Sequence, residues 1–468
     1  MRPRPVWLVV LATALPMFMA TLDNLVVTGA LPVIRTELGG SLETLQWVVN
    51  AYTLAFATLL LTASGLGDRI GRRRVFVGGI VLFTAASAAA ALSTDATTLI
   101  LARAVQGVGA AAVMPLSLTL LAAAVPPARR ALAIGIWGGV SGLGVAVGPL
   151  VGGAVVDGLA WQWIFWLNVP FGVLAVPLAL VVLRESRGPD RRLDPLGLLL
   201  SAVGVLAVVY TVVRADAEGW GSARTIGGLV LGAALLVGFT AWQRRAAAPL
   251  LPLRLFRSRG FSAANATAVG FSFGMFGAVF LLAQFLQVVQ GLSPFEAGLR
   301  TMPWTLAPMV VAPIAGILTG RVGPRPLVAA GMVLQAGALA WLAAVTTVDV
   351  SYGTLVPPFL LAGVGMGLTF APIATAVITG VSDADHGKAS GANSTLRELG
   401  VALGVAVLTA VFTANGSYAG GQAFVDGLVP AVWIAAGVVA VGAVGALFLP
   451  GRRPTPVAVE PPVVPVPA

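Results

Sequence analysis

Very few residues in this chain could do covalent chemistry. Cysteine is absent and His386 is the single histidine, so a disulfide framework, a thiol nucleophile and a zinc site lack their material, as does a Ser-His triad in the membrane-embedded part. The one lysine, Lys388, is followed by Ala389 rather than Ser or Thr, which excludes a P-loop for nucleotide phosphates. Two charges stand out because of where they sit. Asp23 interrupts the apolar run VLATALPMFMATLDNLVV, and Arg103 interrupts ILARAVQGVGAAAV, with Gln106 one helical turn further on. A charge in such surroundings is costly and is kept for a use. The chemistry open to this pair is proton uptake and release by a carboxylate, with a guanidinium close enough to modulate it.

The surroundings follow from composition. Of 468 residues, 58% are hydrophobic and only 10% are charged, with a mean hydropathy of +0.94; a water-soluble protein carries about a quarter charged residues. A net charge of +10 could suggest nucleic-acid binding, but the basic residues fall in short clusters between apolar runs, and no nucleic-acid partner is expected. Crossing roughly 30 Å of hydrocarbon takes about 20 apolar residues. Fourteen stretches qualify: 7–34, 46–66, 75–93, 98–124, 131–156, 163–183, 195–213, 226–243, 262–288, 299–319, 327–346, 355–380, 398–414 and 429–449. The first is a retained span rather than a cleaved signal peptide, because it runs on through Asp23 and Asn24 without a cleavage site. An N-terminus in the cytoplasm puts 23 of the 28 basic residues inside, leaving Arg35, Arg214, Arg224 and Arg300 outside and Arg103 within a span. The positive-inside rule then places both termini in the cytoplasm. Trp47, Trp161, Trp163 and Trp166 are expected in an aromatic girdle at the opposite face. The proline-rich tail, 451–468, is expected to be a disordered cytoplasmic segment.

The chain also repeats itself. GLGDRIGRRR, residues 65–74, and GILTGRVGPR, residues 316–325, align Arg69 with Arg321 and Gly71 with Gly323. Duplicated helical blocks are the mark of secondary transporters, whose halves rock about a central site. Six spans plus six leave two over, between residues 193 and 245, flanked by charged linkers and expected outside the paired bundles.

Several motifs now carry a family resemblance. Asp68-Arg69-Ile70-Gly71-Arg72-Arg73 resembles the cytoplasmic turn of the major facilitator superfamily, and Gly148-Pro149-Leu150-Val151-Gly152-Gly153 resembles the motif of its antiporters. Leu22-Asp23-Asn24 with Ala30-Leu31-Pro32, Gln46-Trp47 with Tyr52, Arg103-Ala104-Val105-Gln106-Gly107, and Trp161-Gln162-Trp163-Ile164-Phe165 with Asn168-Val169-Pro170 are similar to its fourteen-helix drug:proton antiporter branch. The resemblance spans the whole chain. It implies an all-α membrane protein with the major facilitator fold: two pseudo-symmetric six-helix bundles, 1–192 and 246–450, plus two inserted central helices in 193–245. Ser64 stands where the family pattern has Gly, and Gly320 takes the place of Asp68 in the second copy, so the second latch is expected to be weaker.

Each motif has a physical reading. Asp23, some eleven residues short of its span's outer end and therefore roughly 16 Å below it, is the candidate proton carrier. Arg103 and Gln106 are expected to line the central cavity, with Arg103 acting on Asp23 directly or through water; a tight pair would oppose protonation and must loosen during the cycle. Gly144, Gly148 and Gly152 share one helix face, with Gly153 and Pro149 beside them. They are expected to form a pliant, close-packed gating interface between the two halves. Asp68 is expected to accept hydrogen bonds from an adjacent helix N-terminus, and the resemblance implies that Asp68, Arg69, Gly71 and Arg72 form a latch for the outward-open state. Asn24 with Phe276, Phe280 and Gln284 are expected at the substrate cavity. The last three share a helix face rich in aromatics and amides with Phe273, a face equally able to pack on lipid. Glu398, beside Arg397, is expected at the cytoplasmic surface, and His386 in a solvated loop.

Together these readings give a secondary active transporter rather than an enzyme, without cofactor or metal. It would export a hydrophobic or cationic drug or antibiotic in exchange for protons across a bacterial inner membrane, as a monomer in the lipid bilayer. Arginine used almost to the exclusion of lysine, with abundant alanine, hints at a high-GC bacterium. A proton-coupled metabolite permease is the alternative within transport, and a transport-inactive membrane receptor or scaffold the alternative from another class.

Overall fold

The computed structural model describes residues 5–38, 42–158, 160–188 and 192–451. The tail beyond Gly451 and the basic residues Arg2, Arg4, Arg191, Arg452 and Arg453 lie outside them. All regular structure among the described residues is helical: α1 (Val6–Leu38), α2 (Leu42–Ile70), α3 (Arg72–Ala91), α4 (Ala96–Ala124), α5 (Pro127–Gly158), the single turn α6 (Trp163–Trp166), α7 (Asn168–Val182), α8 (Pro195–Glu218), α9 (Ala223–Gln243), α10 (Arg259–Val288), α11 (Pro294–Val322), α12 (Pro324–Val345), α13 (Tyr352–Thr379), α14 (His386–Asn415) and α15 (Gly421–Ala446), with two short 3₁₀ turns, Leu253–Arg257 and Asp383–Asp385. Thirteen spans are long and apolar enough to cross a membrane among the described residues, α6 and α7 forming one of them; the 32-residue α5 is the fourteenth long helix. In hydrocarbon each backbone N–H and C=O must be paired within its own segment, which leaves helices as the form these apolar runs can take. Helix starts carry their caps: the Asp95 carboxylate accepts from Thr98 N at 2.9 Å, Asp194 from Gly197 N, and Ser293 with Glu296 makes a reciprocal capping box.

The sequence repeat is a structural one. Gly71 and Gly323, 252 residues apart, both take positive φ, 130° and 84°, at the tight turns joining α2 to α3 and α11 to α12, a backbone conformation that glycine adopts freely. The helix pairs recur as well. A Cβ on Gly107 of α4 would lie 2.4 Å from the Tyr52 carbonyl of α2, and one on Gly363 of α13 would lie 2.4 Å from the Trp304 carbonyl of α11. The halves touch through two matching seams. On one, Gly135 and Gly139 of α5 meet the backbone of α11 at Ala312, Gly316 and Met309; on the other, Gly387 and Gly391 of α14 meet Asp68 and Ser64 of α2.

Two expectations are corrected by this packing. Gly144 and Gly152 do not face the other half: their missing Cβ atoms leave room for α1 backbone at Phe18 and Val26. The small residues that join the halves lie nearer the start of α5, because that part of the helix crosses α11 while the Gly144–Gly152 face turns back onto α1. Gly148 is buried; Pro149 and Gly153 lie outside the described side chains. The inserted pair also divides. α9 leaves Val230, Leu231 and Val237 exposed, whereas Val205 and Val209 of α8 cluster with Leu54 and Ala57 of α2 and with Leu399 and Ala402 of α14, so α8 straddles the α2/α14 seam. Asp194 fastens the ends of the pair, accepting from Trp242 Nε1 and Gln243 Nε2 at 2.7 Å each. These bonds, with that from Gly197 N, outweigh burial and hold its carboxyl below the usual carboxylate range.

Candidate functional site

Asp23 lies near the middle of α1 and is 1% exposed; Arg103 of α4 is fully buried. Arg103 Nη1 donates to Asp23 Oδ2 at 2.5 Å and to Gln106 Oε1 at 2.6 Å, while Nε donates to the Val48 carbonyl at 3.2 Å. The other carboxylate oxygen, Oδ1, accepts from Gln106 Nε2 at 2.7 Å and from Asn168 Nδ2 at 2.6 Å, and Gln106 also donates to Ser87 Oγ. Helices α4 and α7 thus meet α1 at one carboxylate, with α3 joined through Gln106. The guanidinium lies 4.3 Å from the centre of the Tyr52 ring, a favourable cation–π contact when desolvated. Pairing with added hydrogen bonds is what allows two charges to be buried at all. Asn168 entered the sequence reading only through its motif and Ser87 not at all; a single amide and a single hydroxyl among alanines give no periodic signal.

Beside this cluster lies a cavity of about 230 Å³ lined from both halves. Met17 and Asn24 of α1, Tyr52 of α2 and Met114 of α4 face Met275 and Phe276 of α10, Met366 and Phe370 of α13, and Arg397 and Glu398 of α14. Unbranched methionines give such a wall the capacity to repack around ligands of different shape. Asn24 and Phe276 are among the residues that line it. Arg103 and Gln106, expected to line the cavity, do not: both are fully buried and outside its lining, with Arg103 over the ring of Tyr52, which does line it. Phe280 is 42% exposed and Gln284 accepts from the Tyr418 hydroxyl at 2.7 Å. The cavity stops at Phe276 and Val279, and the next turns of α10 meet the loop between α14 and α15 instead.

Glu398 and Arg397 are the main correction. α14 begins at His386, twelve residues before the apolar stretch that marked it in the sequence, so both side chains lie in mid-helix at the cavity, and Arg397 stacks on Phe370 at 4.7 Å. His386 is 1% exposed and opens that helix rather than occupying a solvated loop. The first turns of α14 are polar because protein, not water, faces them: Ser390 Oγ donates to the Pro115 carbonyl at 2.7 Å, and Asn393 Nδ2 to Asn265 Oδ1 at 3.1 Å.

The arginine-rich end is closed by the same helix. Arg72 Nε donates to Asp68 Oδ1 at 2.7 Å and Arg72 Nη2 to the Ala384 carbonyl at 3.1 Å. Ser64 Oγ donates to the Gly387 carbonyl, and Arg69 Nε bonds the Arg192 carbonyl. Asp68 packs against Gly387 in the first turn of α14. The cap of α3 is a different acid, Glu185, which accepts from Arg73 N and Arg74 N and which sequence reasoning missed because it belongs to a linker more than a hundred residues away. In the second copy, a Cβ on Gly320 would meet nothing within 4 Å, and Arg321 is exposed. Elsewhere, Trp163 is exposed, while Trp161 is fully buried, donating to Glu37 at 2.9 Å.

Comparison with known proteins follows the same lines. A sequence profile described as Major Facilitator Superfamily matches residues 13–405 and 267–465. The chain is 36% identical over 410 residues to the tetracenomycin C resistance and export protein of Streptomyces glaucescens, covering 87% of this chain and 76% of that one. It is 38% identical over 409 residues to the multidrug resistance protein Stp of Mycobacterium tuberculosis, with the same coverage. Among solved structures, a double-tryptophan mutant of XylE superposes with a TM-score of 0.71 at 15% identity, covering 96% of this chain and 97% of that one, a likeness of fold.

Proposed function

The chain belongs to the major facilitator superfamily, and from that premise we propose that it is a drug:proton antiporter of the fourteen-helix branch, expelling hydrophobic or cationic small molecules across a bacterial inner membrane. In this reading both termini and the arginine-rich end face the cytoplasm. Residues 1–192 and 246–450 form the halves that rock against each other, with 193–245 inserted between them. The observation that carries the proposal is one buried carboxylate, Asp23, paired to Arg103 behind the wall of a cavity lined by both halves.

The exchange follows from the competition for Asp23. With the cluster intact, three donors occupy its two oxygens and no proton is needed. A proton arriving on the carboxyl cancels the ion pair and leaves Arg103 with Gln106, the Val48 carbonyl and the Tyr52 ring, which loosens α1 from α4. Since α1 packs on α5 and α5 forms one of the two seams between the halves, the protonation state of one residue biases the packing that rocking must change. Glu398, beside Arg397, gives the cavity an acid of its own that a lipophilic cation can approach without displacing Arg103 from Asp23. The relatives named for tetracenomycin C export and multidrug resistance support this substrate class.

The test is proton movement in liposomes bearing the purified chain. A lipophilic cation such as ethidium, added on the arginine-rich side, should discharge an imposed pH gradient in a dose-dependent way. A gradient that ignores such cations and apolar antibiotics, but responds to a sugar or amino acid, would replace this reading with the metabolite permease.

A further inference from the structure

A groove of about 700 Å³ opens sideways between α1 and α5, on the lipid-facing side of the first half. Its walls are apolar, with Val10, Leu11 and Ala14 on α1 and Leu132, Ile136 and Val140 on α5. It ends where Phe18 and Phe171, ring centres 5.9 Å apart and edge to face, close over it. From Val6 to Phe18 α1 rises about 18 Å, close to the depth of one leaflet of a hydrocarbon core of ~30 Å. Trp7, 64% exposed, stands at the mouth, where an amphipathic ring suits the headgroup level.

The mouth is basic. Arg129 lines the groove and also a second recess of about 580 Å³, which it shares with Arg184 and Ser186; among the described residues neither lining includes an acid. Arg129 and Arg184 are exposed, in contrast to the adjacent Arg130, which pairs with Asp383 at 3.8 Å. The Ser186 hydroxyl is buried without a hydrogen-bond partner among the described residues, an expense that an acceptor placed in the recess would remove. An apolar slot one leaflet deep that meets, at Arg129, a recess holding a second cation and an unmet hydroxyl has the chemistry of a lipid with an anionic head.

We propose that this groove and recess bind one anionic phospholipid of the leaflet at the arginine-rich face, the acyl chain lying between α1 and α5 and the phosphate between Arg129 and Arg184, accepting from Ser186. The lipid then braces α1 against α5 from outside. Leu132 and Ile136 face it while Gly135, beside Ile136, faces α11, so its presence bears on a helix that must shift when the halves rock. The site does not depend on which substrate is carried, or on whether protons drive the export.

Native mass spectrometry of the full chain in detergent tests the proposal, because neither orientation nor transport enters the readout. Phosphatidylglycerol should bind with one preferred stoichiometric site, and phosphatidylcholine with the same chains should bind more weakly. With about 1 kcal/mol per arginine near a phosphate, Arg129→Gln or Arg184→Gln should each weaken phosphatidylglycerol about fivefold, and the double variant on the order of thirtyfold. Both residues are exposed, so the variants should melt like the parent. Val140→Trp, which fills the groove, should weaken both lipids. Inorganic phosphate competing as well as the lipid would assign the recess to a free anion and overturn the acyl-chain half. Equal binding of the two lipids, or an unchanged affinity in the double arginine variant, would overturn the proposal altogether.

Discussion

Arg103→Leu is the perturbation whose consequence is most sharply set by the buried cluster. It removes the charge partner of Asp23 at Oδ2, an acceptor's partner at Gln106 Oε1 and the donor to the Val48 carbonyl, and leaves a carboxylate that is 1% exposed facing only two neutral amides. Breaking a buried pair from one side costs roughly 3–5 kcal/mol, chiefly for the charge left behind. Asp23→Asn should cost less. Arg103 would keep Gln106, the Val48 carbonyl and the Tyr52 ring, and a desolvated cation–π contact alone is worth about 2 kcal/mol. The double variant has no stranded charge, so it should be more stable than Arg103→Leu alone, with a coupling energy of about 2–3 kcal/mol. The measurement is a double-mutant cycle by reversible denaturant unfolding in mild detergent. Additive effects, or Asp23→Asn proving the more damaging single change, would refute the assignment of the cluster as a mutually dependent ion pair.

Other outcomes follow from the seams. Asp68→Asn should loosen the first turn of α14 and lower cysteine crosslinking across α2 and α14, a clean assay in a chain without native cysteine; unchanged crosslinking would remove Asp68 from the latch. Gly135→Leu puts its Cβ 2.7 Å from the Ala312 carbonyl and should stop transport while widening the α5/α11 distance. Gly148→Leu should reduce transport with insertion and that distance both preserved, and a widened α5/α11 seam in Gly148→Leu would contradict the division between the two glycine faces. Asp194→Ala should cost about 1 kcal/mol as a lost cap. Because the folded carboxyl is held below its ordinary value, its contribution is full above ~3.9 and lost as pH falls through the folded value; melting against pH should show that acid limb in the parent and not in the variant.

Much of this architecture is legible in the sequence because hydrocarbon imposes a length and a composition on each span. The repeat is legible too, since the turns at Gly71 and Gly323 both need a backbone only glycine adopts readily. Asp23 and Arg103 are conspicuous because each is the one charge within a largely apolar run. What fails is the inference that polar means exposed. The run from His386 to Glu398 reads as loop, yet it is helix whose hydroxyls, amides and glycines are met by α2, α4 and α10; a hydropathy pattern records how apolar a residue is, not whether protein or water faces it. That error displaced Arg397 and Glu398 from the cavity to the surface. Direction is the other gap. Gly144 and Gly152 are close-contact positions, but one helix's periodicity cannot say which neighbour it meets, and the neighbour is α1 rather than the other half. Phe280 and Gln284 share a face with Phe276, but where along that face the cavity ends depends on how α10 crosses the other half.

The most direct test of proton exchange through Asp23 is substrate-driven proton flux in inverted vesicles from cells expressing Asp23→Asn, compared with the parent at matched protein levels and with ethidium exchange at zero gradient as the control. Gradient-driven uptake and the accompanying pH change should both vanish while exchange at zero gradient persists. Parent-like coupling in Asp23→Asn would place the proton elsewhere, with Glu398 the one acid that lines the cavity among the described residues.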